Sequence, residues 1–116
     1  MDIESIWKYC VSKPHAEETF PFDQTTLVFK VGNKMFALFS IDNFSGINLK
    51  CDPEKSIELR ESFSGVIPAF HMNKKHWNTV ILNEDVDSKL VLELIDHSYD
   101  LVYKSLPKKI RDGFTS

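Results

Sequence analysis

Leu27-Val28-Phe29-Lys30-Val31-Gly32-Asn33-Lys34-Met35-Phe36-Ala37-Leu38-Phe39-Ser40-Ile41 carries the strongest structural signal of the chain. Two runs rich in β-branched and aromatic residues flank Gly32-Asn33, and a two-residue Gly-Asn connection predicts a type II′ hairpin because glycine tolerates positive φ at the first turn position. In the second run Met35, Ala37, Phe39 and Ile41 share one face by simple alternation, and Phe36, Leu38 and Ser40 share the other. Both faces carry apolar side chains, so part of the second face is expected to be covered as well.

Beyond the hairpin, Asp42 to Gly46 reads as a loop, and Ile47, Leu49 and Cys51 then alternate with Asn48 and Lys50, the pattern of a third strand with one wet face. Asp52-Pro53 opens a helix, with Asp as N-cap and Pro where its missing N–H costs nothing. Ile57, Leu59 and Phe63 supply its apolar residues, and Gly65 is placed at its C-terminal end. Val66 to Met72 and His76 to Leu82 read as two more strands joined across Asn73-Lys74-Lys75, the first at an edge or bent because of Pro68. Leu90, Val91, Leu94, Ile95, Ser98, Leu101 and Val102 keep a 3.6 period after Asp87 and predict the longest helix, with the Ser98 hydroxyl bonded back to its own helix. Pro107 begins a short basic tail of one further turn. Toward the N-terminus, Ile3, Ile6, Trp7, Cys10 and Val11 form one stripe of a helix capped by Asp2 and stopped by Pro14. His15 to Thr26 has no period and holds Pro21 between Phe20 and Phe22, an ordered connection pinned by aromatic side chains. Strands grouped between helices predict the α+β class: one antiparallel sheet of about five strands, terminal helices on one face, and a single domain over residues 1–116.

The chain has 116 residues and 13.4 kDa, with 42% hydrophobic residues and nine phenylalanines, enough to bury a core without disulfides or metal. Its formal charge of −3 excludes a polybasic protein whose whole surface seeks nucleic acid, so any polyanion contact must be local. Residues 1–12 contain Asp2, Glu4 and Lys8 and no apolar core of a signal peptide, and no apolar run reaches the roughly 18 residues of a membrane span. A cytoplasmic location away from the membrane is expected. Cys10 and Cys51 form no CxxC and read as core thiols.

The chain lacks a Gly-rich phosphate loop, GxSxG and HExxH, and His97 and Ser98 are helical neighbours that point apart. No enzyme is expected. Glu17-Glu18 and Glu84-Asp85-Asp87 read as solvated carboxylates, and His71 with His76 lacks a third ligand, so neither a metal nor a cofactor is expected.

Glu18-Thr19-Phe20-Pro21-Phe22, Lys34-Met35-Phe36-Ala37, Leu49-Lys50-Cys51-Asp52-Pro53, Asn73-Lys74-Lys75-His76-Trp77 and Asp96-His97-Ser98-Tyr99 stand in the order and spacing of the MmcQ/YjbR family. The chain resembles that family over nearly its whole length, with Ala69 where the family pattern often has glycine. The resemblance implies a CyaY-like, frataxin-like fold and weak, sequence-nonspecific binding of duplex DNA, since members are usually called DNA-binding from a double-wing layout. It implies Lys34, Lys50, Asn73, Lys74, Lys75, His76 and Trp77 as the contacts. Lys74 and Lys75 beside Trp77 suit phosphate and base contact, although lysines between strands also guard a sheet against aggregation. Lys104, Lys108, Lys109 and Arg111 read either as a polyanion-binding tail or as charges opposing a helix dipole. The alternative to DNA is an interaction module for an acidic protein or an anionic metabolite.

Overall fold

The computed structural model describes residues 1–115. Helix α1 (Ile3–Val11) is followed by strands β1 (Glu17–Thr19), β2 (Thr26–Val31), β3 (Lys34–Ser40) and β4 (Gly46–Lys50). Then come helix α2 (Pro53–Ser62), strands β5 (Val66–Pro68) and β6 (Trp77–Ile81), and helices α3 (Ser88–Ser105) and α4 (Lys108–Thr115). The six strands form one sheet in the order β1-β2-β3-β4-β6-β5, every neighbouring pair antiparallel. The expected α+β architecture is present, with β1 as a sixth strand inside the segment read as an irregular connection. Its three residues are too few to show a period, and it is held from outside: Glu18 pairs with Phe29, and its carboxylate accepts the Trp7 indole N–H of α1 at 2.6 Å.

The helices start where the caps predict. Asp2, Asp52 and Asp87 each accept backbone amides of the first turn that follows them. Three local expectations change. Gly32 and Asn33 both have positive φ, +55° and +66°, so the hairpin turn is type I′. Asn33 tolerates that conformation, and a Cβ at Gly32 would meet Leu106 at 2.6 Å. Gly65 does not end α2 by a left-handed turn; α2 ends at Phe63, and Gly65 leaves room for Asp85, whose carboxylate accepts the Ser64 and Gly65 amides. The buried side of α2 is Ser56 and Leu59, with Ile57 exposed, because Ser56 receives the amide of Asn78 from β6.

The largest change is on β3. Phe29 pairs with Ala37 but Lys30 pairs with Met35, so Phe36 is the extra residue of a β-bulge. The bulge turns Phe36 to the same side as Ala37 and Phe39, where it is fully buried against Phe29 and edge-on to Tyr99 of α3. Met35 goes to the opposite side. The core thus lies on one face, between the sheet and helices α1, α2 and α3, with Ile6 and Cys10 of α1 and Leu94 and Ile95 of α3 in one cluster with Phe29, Phe36 and Ile47. Across the helices, Tyr9 and Lys13 both hydrogen-bond Asp96, and the Tyr99 hydroxyl donates to the Pro14 carbonyl. The tail is a full helix: Phe114 of α4 stacks on His15 and Tyr103, which its sequence does not announce because both partners are distant.

Polar side chains of α3 complete the backbone bonding that the bulge disturbs. The Ser98 hydroxyl accepts the Lys50 amide at 2.9 Å and donates to the Phe36 carbonyl at 2.5 Å, bridging β4 and β3 where their ladder opens. It is not bonded back to its own helix. The preceding residue of α3, His97, accepts the Asp52 amide through Nε2 at 3.1 Å, which requires the neutral ring. Partial burial, reinforced by the Lys55 cation, holds its pKa below the ordinary histidine range. A depressed folded pKa stabilises the domain above the unfolded value and loses that contribution as pH falls through the folded one. Denaturant midpoints should therefore drop from pH 7.5 to pH 5, and His97→Gln, which keeps an acceptor that does not titrate, should flatten that drop. An equal drop in both proteins would assign the acid sensitivity elsewhere.

Candidate functional site

The face of the sheet opposite the helices is built from the alternate residues of the same strands. Register places Thr19, Val28, Leu38, Asn48, Thr79 and Ile67 in one row across all six strands. The Thr79 hydroxyl donates to the Asn48 side-chain carbonyl in the middle of that row. A second row runs Glu17, Lys30 and Met35 across β1 to β3, and Lys50 beside Trp77 on β4 and β6. Val28 and Leu38 are buried yet stand outside the main core cluster, so this face has its own small apolar floor.

Two loops raise walls on this floor. The β1–β2 connection contributes Phe22, and the β5–β6 connection contributes Phe70, His71 and Met72. Between them lies a half-open groove of about 780 Å³ floored by Met35, Leu38, Asn48, Trp77 and Thr79. Phe70 and Phe22 are 72% and 64% exposed, while Trp77 is half-buried. Among the described lining residues none is Asp, Glu, Lys or Arg, and His71 is the single histidine.

Charge sits at the two ends instead. Lys50, Lys74 and Lys75 lie beside Trp77 and Asn73 at one end, with Lys30 in the same row but opposed by Glu17. Asp23 and Asp42 lie in the segments next to Phe22 and Asn43 at the other. The lysine turn is braced. Asn73 Oδ1 accepts the Lys75 amide at 2.9 Å, and the Asn73 carbonyl accepts the amides of His76 and Trp77. Arg60 of α2 donates from Nε to Asn78 Oδ1 at 2.7 Å and from Nη2 to the Lys74 carbonyl. The backbone of the turn is tied down while both lysine side chains remain exposed.

Comparison with known proteins places this architecture. A family model described as YjbR matches residues 11–101. The chain belongs to the YjbR family. It is 36% identical over 107 residues to the protein YbdF of Escherichia coli O157:H7, covering 91% of this chain and 88% of that one. It is 34% identical over 112 residues to YjbR of Escherichia coli K12, covering 96% and 95%. Among solved structures, the Deinococcus radiodurans protein DR2400, with a DUF419 domain, superposes with a TM-score of 0.91 at 41% identity over 97% of this chain and 87% of that one. A Pseudomonas syringae protein superposes at 0.74 with 30% identity, over 88% and 99%.

The YjbR-type phrases of the chain divide into two kinds. Asp96-His97-Ser98-Tyr99 is structural: its four side chains hold α1, the α2 cap, the bulge and the Pro14 carbonyl. Asn73 to Trp77 borders the groove, Asn73 and Trp77 within it and Lys74 and Lys75 beside it, while the His76 carbonyl is occupied by the Cys51 amide. Lys50 joins them through its pairing with Trp77. Lys34 does not: it pairs with Val31, whose side chain belongs to the core, so its register position is that of the helix side. The tail is also remote, being stacked through Phe114 on the helical side. The sequence assigns no site role to Phe22, Phe70, Asn48 or Thr79. The alternation of Asn48 and Thr79 with buried neighbours was a usable signal; nothing local shows that two aromatic residues from separate loops face one groove. Ala69 makes the bend before Asn73 with its side chain buried. Among the described residues no group of three or more His, Cys, Asp or Glu is placed to hold a metal, and no helix is long and apolar enough to cross a membrane.

Proposed function

We propose that this chain is a non-enzymatic binding domain that contacts DNA weakly and without sequence preference through the lysine end of its open sheet face. The observation that carries this reading is the braced turn, which holds Lys74 and Lys75 exposed beside Trp77 and Lys50. Exposed lysines on a fixed backbone meet phosphates at small conformational cost, and the overall charge of −3 keeps the contact local and weak. A groove lined by neutral side chains and one histidine offers no acid–base pair, which supports binding over catalysis.

Fluorescence anisotropy with a labelled duplex at low salt tests the reading. Three phosphate contacts give a slope of log K against log salt of roughly −3. Lys74→Glu combined with Lys75→Glu should abolish binding while circular dichroism stays unchanged. Equal binding by the folded double variant would remove this surface from consideration. Absence of binding by the wild type would favour a second reading, an anionic metabolite in the groove, because about 780 Å³ lies in the range of small-molecule sites.

A further inference from the structure

We infer that the groove receives unpaired bases of a single-stranded nucleic acid whose backbone crosses the strands at the lysine end. The inference rests on the DNA reading above and changes which form of nucleic acid is preferred. A duplex keeps its bases stacked on one another, so it has no use for the exposed rings of Phe22 and Phe70 or for Trp77 in the floor. Unpaired bases stack on such rings without regard to sequence. The polar groups between the aromatic residues, Asn48 and Thr79 in the floor and Asn73 at the rim, are neutral, as the edges of bases are.

The charge pattern sets the direction and the occupant. Cations at the Trp77 end and carboxylates near Phe22 and Asn43 admit a ligand with its anion at one end and its ring inside. The cations do not converge on one point. Lys30 and Lys50 stand two strands apart, roughly 10 Å at ordinary strand spacing, and Lys74 and Lys75 continue the line beyond β4 at the start of β6. A single phosphate leaves part of this line of cations unused, whereas a strand crossing the sheet passes all of them. Glu17 opposite Lys30 weakens the β2 end of that path, leaving Lys50, Lys74 and Lys75 as its anchor.

The test compares a labelled oligo(dT) strand, a labelled duplex of equal length and thymidine monophosphate as competitor, on the wild type and on Phe70→Ala. Phe70 is 72% exposed, so its removal leaves the core untouched. Expected are at least about ten-fold tighter binding of the strand than of the duplex, and a loss of strand affinity of about 5- to 150-fold in Phe70→Ala with duplex binding unchanged. In a Trp7→Phe background the strand should quench the emission of Trp77. Equal affinity for strand and duplex, or an inert Phe70→Ala, would overturn this inference while leaving the duplex reading in place. Binding of neither nucleic acid would overturn both, and competition by the mononucleotide as effective as that by the strand would replace a strand site with a free-nucleotide site.

Discussion

Phe36→Ala is expected to destabilise the domain by about 3 to 5 kcal/mol, read as a lower denaturant midpoint at unchanged slope. The ring is fully buried, tilted against Phe29 at 6.2 Å between centroids and edge-on to Tyr99 at 5.3 Å. Its neighbours cannot close the space, because Phe29 and Tyr99 are fixed by the β2 ladder and by the Tyr99 bond to the Pro14 carbonyl. For a domain whose whole stability is of the order of 5 to 15 kcal/mol, this is a large share. The experiment also decides the face. Under simple alternation Phe36 would stand with Leu38 on the open side, and truncation there would cost far less and alter the groove. A change under about 1 kcal/mol would show that β3 has no bulge at this position.

Ser98→Ala is expected to cost about 2 to 4 kcal/mol, although it removes one oxygen from a helix that favours alanine. The hydroxyl serves two backbone groups at once, the Lys50 N–H and the Phe36 C=O, and its residue is fully buried, so water cannot take its place. Leaving both without partners carries the desolvation cost of each. Ser105 on the same helix provides the internal control. Its hydroxyl donates to the Val102 carbonyl of its own helix, and Ser105→Ala should lie within about 0.5 kcal/mol of the wild type. Similar small effects at both positions would mean that the β3–β4 gap is closed without Ser98.

Contacts between near neighbours set the three aspartate caps, the hairpin around Gly32-Asn33, the alternation of β4 and the stripe of α3, and all of these are readable from the residues alone. Those features need only a few consecutive residues, and the grouping of strands between helices then leaves an antiparallel sheet with helices on one face as the economical arrangement. Strand β1 has no local signature because its pairing energy comes from β2 and from Trp7, outside its own three residues. The bulge inverted the faces of Met35 and Phe36 because one extra residue shifts every side chain beyond it, and only the pairing partner shows where that residue is inserted. Of the candidate site, Lys50, Asn73, Lys74, Lys75 and Trp77 were legible as residues, but their relation was not. The register of β4 against β6 brings Lys50 beside Trp77, and Arg60, an unremarked helix residue, holds the lysine turn. The groove itself belongs wholly to the tertiary structure. Phe22 and Phe70 stand 48 residues apart in loops at opposite sides of the sheet, and only the strand order makes them two walls of one site.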